Sequence, residues 1–222
     1  MNFSLFLRPV VFSLLCVGLA SAAQAASVAA VQGKVSVQRD GKTLPAKAGM
    51  QLRMGDTLTS AVQGEAMLRL DDGGGLAVRS DSAIELKRLP TKTLSASQQQ
   101  TIRLVQGGLR FVSSKLTEQH KTEFETSTAT IGIRGTDVEI AVSAVAVADN
   151  NPGTYLKVNS GAAVLIANDG AQVEVAPGEQ AFGGEPELTP RGAGGVRRLS
   201  ARKVQTQANQ VFKASRLDAL FK

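Results

Sequence analysis

The sequence predicts an all-β chain: a β-solenoid-like or rolled β-sandwich body of short stacked strands, followed by a C-terminal basic amphipathic helix. Three observations lead there. Apolar residues alternate with polar ones over most of the chain, the spacing that puts one row of side chains on a core face and the next in solvent. Three Asp-Gly dipeptides, Asp40-Gly41, Asp72-Gly73 and Asp169-Gly170, punctuate the alternating runs and favour tight hairpin turns. The chain of 222 residues has 22 Gly and only 4% aromatic residues, a balance that suits turns and small side chains better than a large aromatic pocket.

The N-terminus reads as a secretory signal and not as part of the fold. Arg8 supplies the positive end, Val10 to Ala20 is the apolar run, and Ala23-Gln24-Ala25 matches a small-x-small cleavage pattern. Residues 1–25 are thus expected to be removed, which places the mature chain in the periplasm with Ala26 first. The apolar run is too short to span a bilayer, which takes about 20 residues. Cys16, the single cysteine, leaves with the signal. Disulfides, thiol catalysis, cysteine zinc sites and iron–sulfur clusters are thereby excluded from the mature chain. No later segment is apolar for long enough to be a transmembrane helix.

Residues 26–182 form the expected β-body. Val35 and Val37 alternate with Lys34 and Ser36, and Ala66, Leu68 and Leu70 alternate with Met67 and Arg69. Leu76 and Val78, Ile84 and Leu86, Ile102 and Leu104, and Leu109 and Phe111 continue the pattern. Ile131 and Ile133, then Val138, Ile140 and Val142, then Val173 and Val175 complete it. Ala144 to Ala148 is the nearest approach to a helical stretch and suits a strand end as well. A partial repeat runs through the body. Val31-Gln32-Gly33, Val105-Gln106-Gly107 and Val158-Asn159-Ser160-Gly161 each precede or follow alternating apolar residues, and two of the copies continue to an Asp-Gly and a later Gly at the same offset. Short strands with turns at recurring offsets suggest stacked units.

Residues 183–195 are rich in Gly and Pro and read as a linker. Charge changes across it. Residues 26–190 carry 16 Lys and Arg against 18 Asp and Glu, whereas residues 191–222 carry 8 against a single acid, Asp218. In residues 196–222, Val204, Ala208, Val211 and Phe212 recur at helical spacing, with Leu217, Leu220 and Phe221 extending the apolar side. Arg197, Arg198, Arg202, Lys203, Lys213 and Arg216 make that helix basic. It would either cap an open end of the β-body or attach to an anionic surface such as polymer or lipid.

The ordered blocks of the body resemble the FecR periplasmic domain family. They are Gly49 to Leu52 with Gly55-Asp56-Thr57-Leu58-Thr59, then Ala66 to Leu70 with Asp72-Gly73 and Leu76, then Ser82-Ala83-Ile84-Glu85-Leu86. Gly107-Gly108-Leu109 and Phe124 follow, and the most specific block is Thr126 to Ile140, carrying Ala129, Gly132-Ile133-Arg134-Gly135-Thr136 and Val138. Gly161, Val164, Val175 and Gly178-Glu179-Gln180-Ala181 close the set, so the resemblance covers about residues 46–181. Ser127 stands where the family often has Pro, and Val138 where it often has Phe. The family's best-known members are membrane-spanning anti-sigma regulators. This chain, with its cleavable signal, resembles the stand-alone exported members, so sigma-factor control is not carried over.

The remaining motifs are read as structure. The two glycines of Gly132-Ile133-Arg134-Gly135-Thr136-Asp137 mark a sharp turn or a close backbone approach, with Arg134 and Asp137 pairing across it and Thr136 capping a backbone group. The alternative is a polar recognition spot made of Gly132, Arg134, Gly135, Thr136 and Asp137. Asp71-Asp72-Gly73-Gly74-Gly75 lacks the alternating acids of a calcium loop and reads as a hairpin turn. His120, the single histidine, lies in a polar stretch and has no partners for a zinc site or a nucleophilic triad. No catalytic residue, cofactor or metal ligand is expected. The sequence points to a non-catalytic protein-interaction module, a signalling or scaffold component that meets another envelope protein, for example by backbone pairing along an exposed strand. Nucleic acid is not an expected partner of an exported protein. The alternatives are an envelope-attachment protein working through its basic tail and, less favoured, a glycan-active enzyme.

Overall fold

A computed structural model describes residues 24–89, 99–114, 121–148, 150–185, 187–188, 197–198, 200–205 and 208–221. The expected signal up to residue 23, His120 and most of the linker lie outside the described residues. The described chain is overwhelmingly strand. In order these are β1 (Gln24–Gln32), β2 (Val35–Arg39), β3 (Lys42–Pro45), β4 (Gln51–Arg53), β5 (Thr57–Ser60), β6 (Glu65–Leu70), β7 (Gly75–Val78), β8 (Ser82–Arg88) and β9 (Gln99–Val112). There follow β10 (Lys121–Glu125), β11 (Ala129–Ser143), β12 (Gly153–Ala167), β13 (Gln172–Val175), β14 (Gln180–Gly183), β15 (Glu187–Leu188), β16 (Arg197–Arg198) and β17 (Ala201–Lys203). A one-turn helix, α1 (Ala208–Val211), and a 3₁₀ turn at Arg216–Phe221 end the chain.

All but β15 and β16 belong to one open 15-stranded sheet. Its plan depends on three long strands, β9, β11 and β12, which change neighbours half-way along. The first half of β9 lies between β8 and β10, and its second half between β7 and β11. The first wing therefore runs β3-β2-β5-β8-β9-β10-β11-β12-β13. The second runs β4-β1-β6-β7-β9-β11-β12-β14-β17. Side chains of both wings enter one core. Leu58, Ile84, Leu86, Ile102 and Leu104 come from the first, and Leu68, Leu76, Phe111, Val138, Ile140 and Leu156 from the second. The rings of Phe111 and Phe124, one from each wing, meet edge to face at 5.4 Å between centroids.

The period-two residues occupy this core as expected, from Val35 and Val37 to Val138 and Ile140, with Val142 and Val173 packed against it partly buried. All three Asp-Gly pairs are hairpin turns, joining β2 to β3, β6 to β7 and β12 to β13. The recurring glycine after Val31, Val105 and Val158 also has a physical origin. Gly33, Gly107 and Gly161 all have positive φ and sit where the chain passes from one wing to the other. At Gly161 a Cβ would collide with the Gly135 carbonyl oxygen and lie 2.9 Å from Thr136 Cα. Only glycine lets two strands bend past each other that closely. Ser143 ends β11, and residues 144–148 form bends closed by a bridge between Val147 and Asn150, not a helix.

The tail differs from the expected helix. Ala201–Lys203 pairs with β14 and extends the second wing. Among the described residues helical structure is confined to α1 and the terminal 3₁₀ turn, where Ser215 Oγ accepts the Leu217 N–H. The reason is tertiary competition. An isolated helix this short is marginal in water, whereas the edge of β14 and the outer face of the second wing offer pairing and burial. Phe212 joins Ala141, Tyr155 and Phe182 in a second apolar cluster, with Val204 and Val211 packed against it. No helix among the described residues is long and apolar enough to cross a membrane.

Candidate functional site

The structure splits the Gly132–Asp137 block into two parts with opposite duties. Gly135, Thr136 and Asp137 build the corner where β11 changes wings. The register against β12 shifts on both sides of Asp137, which pairs with Ser160. Thr136 Oγ1 accepts the Arg134 N–H at 3.1 Å and donates to the Ala162 carbonyl at 3.1 Å, the backbone capping expected of it. The Ser113 hydroxyl accepts the Thr136 N–H at 2.5 Å and donates to its carbonyl at 3.0 Å. The expected Arg134–Asp137 pair does not form. Asp137 instead takes a bidentate pair from Arg110 on β9, Nε to Oδ1 at 2.9 Å and Nη2 to Oδ2 at 2.7 Å. Across the bulge, Arg134 and Asp137 point to different surroundings, and Arg134 is exposed.

Burial alone would raise the Asp137 carboxyl above its ordinary value. The hydrogen bonds from Arg110 and Asn159, with the charges of Arg110 and Lys157, outweigh burial, so it titrates below the usual aspartate range. Arg110 is raised in turn by its hydrogen bond to Asp137.

Gly132 and Arg134 lie on the outward side of the first wing. Gly132 faces Glu123 on β10 and Val164 on β12 in regular register. Its φ is not positive, and a Cβ there would meet nothing within 4 Å. Neither backbone geometry nor packing asks for glycine, although a strand glycine costs about 0.5–1 kcal/mol relative to alanine. The missing side chain leaves a groove of about 430 Å³, lined by Thr130, Val164 and Ile166 together with the charged Lys121, Glu123 and Arg134. Ile166 is 37% exposed. Lys121 and Arg134 are exposed and have no ion-pair partner among the described residues.

The family model described as FecR protein matches residues 56–164. That segment belongs to the FecR family. The matched FecR segment runs from the buried Asp56, held by Arg39 and the Arg53 N–H, to Val164 in the groove wall. Two solved structures of a protein described as an anti-sigma factor from Parabacteroides distasonis ATCC 8503 are similar in chain path. One has a TM-score of 0.46 at 13% identity, the other 0.47 at 12%. Each alignment covers 66% of this chain and 59% of that one. At that level the likeness carries no functional inference. No curated protein matches the chain.

Outside the FecR match, the basic residues of the tail whose side chains are described have separate surroundings. Arg202 lies over the Phe182 ring at 4.3 Å, and Lys203 pairs with Glu179 at 2.7 Å. Lys213 and Arg216 are exposed, while the side chains of Arg197 and Arg198 lie outside the described residues. The tail's one acid adds an ionic anchor to the β17 pairing and the Phe212 packing. Asp218 pairs with Arg79 at 2.5 Å and approaches Arg110 at 3.8 Å, and Arg110 stacks on Phe221 at 5.0 Å. Sequence reasoning missed Arg79, Arg110, Tyr155 and Phe182. Only Asp218 left a trace, as the lone acid of a basic segment. Among the described residues no three His, Cys, Asp or Glu side chains gather as a metal-holding group.

Proposed function

We propose that the protein is a non-catalytic, periplasmic FecR-type module that binds another envelope protein, in a signalling or scaffold role, through the outer face around Gly132. The observation that carries this reading is the groove itself. A strand glycine with no conformational or steric duty opens an apolar floor beside Lys121 and Arg134, two cations with no ion-pair partner among the described residues, and one acid, Glu123. That surface suits an extended partner segment with an apolar side chain over Gly132 and an acidic one beside Arg134. The exposed edge strand β3 is a poorer site for strand addition, because Lys42 and Pro45 are residues that discourage edge pairing. Three carboxylates on or against the second wing, Asp137, Glu139 and Asp218, are each tied to an Arg or Lys, which supports the non-catalytic reading.

The test places a photo-crosslinking residue at Thr130 in cells, with and without Gly132→Val or Arg134→Glu. The reading expects one dominant envelope-protein adduct that both substitutions reduce about tenfold while the thermal transition is kept. An adduct pattern indifferent to both would refute the interface. Fractionation with N-terminal sequencing checks the compartment: Ala26 as the first residue of a periplasmic product is expected, and an uncleaved cytoplasmic product overturns it.

A further inference from the structure

A second cavity lies on the other wing, beneath the tail, away from the Gly132 groove. It has a volume of about 320 Å³, at the lower end of small-ligand sites. Its floor is formed by the second halves of β9 and β11, and its roof by residues 210–213 of the tail. The Arg79 side chain in its wall is only 3% exposed. Arg79 Nη1 donates to Asp218, but Nη2 has no hydrogen-bond partner, and the nearest ionic contact is Glu139 Oε2 at 3.5 Å. Glu139 gives its other oxygen to Lys157 at 3.0 Å and to Asn159 at 3.3 Å. Nη2 is thus short of a good acceptor, although Glu139 offsets part of its charge. The same cavity is lined by Lys213 and Asp81, so its walls carry charges of both signs, with Val211 and Phe212 as an apolar side.

We propose that this cavity binds an amino-acid-sized zwitterion with an apolar side chain. The ligand carboxylate accepts from Arg79 Nη2 with Lys213 near it, the ammonium group faces Glu139 and Asp81, and the side chain rests against Val211 and Phe212. Because the roof belongs to the tail and the floor to the sheet, an occupant bridges the two and holds the tail down. This site does not depend on the partner interface at Gly132, and either stands without the other.

Calorimetry on the full mature protein tests it with three probes: leucine, N-acetylleucine, which lacks the ammonium charge, and leucine amide, which lacks the carboxylate. Saturable leucine binding is expected, with both derivatives at least about tenfold weaker. Hydrogen exchange across residues 208–221 should slow when leucine is added. Val211→Trp fills the cavity from the roof without touching Arg79 and should abolish binding with the thermal transition retained. Glu139→Gln, which leaves Asp81 as the one carboxylate facing the ammonium group, gives a second, independent reading, since it should narrow the gap between leucine and N-acetylleucine. No saturable binding of leucine by about 10 mM, equal binding of all three probes, or leucine binding unaffected by both variants would each overturn the assignment.

Discussion

Replacing Gly161 by alanine should damage the fold, and replacing Gly132 by alanine should improve it, although both are strand glycines on neighbouring strands. Gly161 has φ +79°, and its missing Cβ would collide with the Gly135 carbonyl and come within 3.0 Å of Gly135 C. Left-handed backbone costs a non-glycine residue about 1–2 kcal/mol. Forcing a methyl between two crossing backbones adds about 1–3 kcal/mol, because the obstacle is main chain and cannot rotate away. The sum is roughly 2–5 kcal/mol, or a fall in melting temperature of about 5–15 °C for a chain of this size. At Gly132 the methyl meets nothing within 4 Å, so alanine should add about 0.5–1 kcal/mol by restricting the unfolded chain. Thermal melts followed by circular dichroism, with urea titrations for each variant, measure both. Shifts of the same sign and size would show that Gly161 is not a steric crossing, and the account of the repeated glycines would fail.

Other outcomes follow from the ion pairs. Asp218→Ala leaves the buried Arg79 with only its long contact to Glu139. It should cost about 1–3 kcal/mol, discounted because Asp218 is itself 25% exposed, and should raise hydrogen exchange across Phe212 and Phe221. Asp56→Ala strips the Arg39 fork, at 2.8 and 2.5 Å, and the Arg53 N–H from a carboxylate that is 1% exposed; a loss of about 3 kcal/mol is expected by urea denaturation. The pH dependence tests Asp137. Its folded value lies below the unfolded one of about 3.9. It therefore contributes stability that is present above that pH and lost as pH falls through the lowered folded value. Asp137→Asn should be less stable than the parent at pH 7, with the gap closing towards pH 3; a gap that stays constant over that range would contradict the pairing with Arg110.

Much of the fold was legible because its causes are local. Strand alternation depends only on the period of the pleat, so Val35 through Ile140 could be assigned to a core face before any neighbour was known. Asp-Gly turns depend on two adjacent residues, and Asp40-Gly41, Asp72-Gly73 and Asp169-Gly170 all turned as expected. The Gly132–Asp137 block was visible as special, and Thr136 was placed correctly as a cap. Its charge pairing was not, because the spacing of Arg134 and Asp137 suggested a local pair while a bulge sent Asp137 to Arg110, 27 residues away. The tail failed for a related reason. Val204, Val211 and Phe212 have helical spacing, but the choice between helix and strand was made by the free edge of β14 and by Tyr155 and Phe182 waiting on the sheet face.

On its own, then, the sequence decided which residues face inward, where the chain turns and which family the body resembles, since those follow from neighbours a few positions apart. Tertiary structure alone decided that three long strands divide one sheet into two wings, that Gly132 opens a groove while Gly135 and Gly161 close a crossing, and that Asp218 anchors the tail on Arg79, 139 residues distant. Those outcomes rest on contacts between parts of the chain remote from each other, whose distances no spacing or composition encodes.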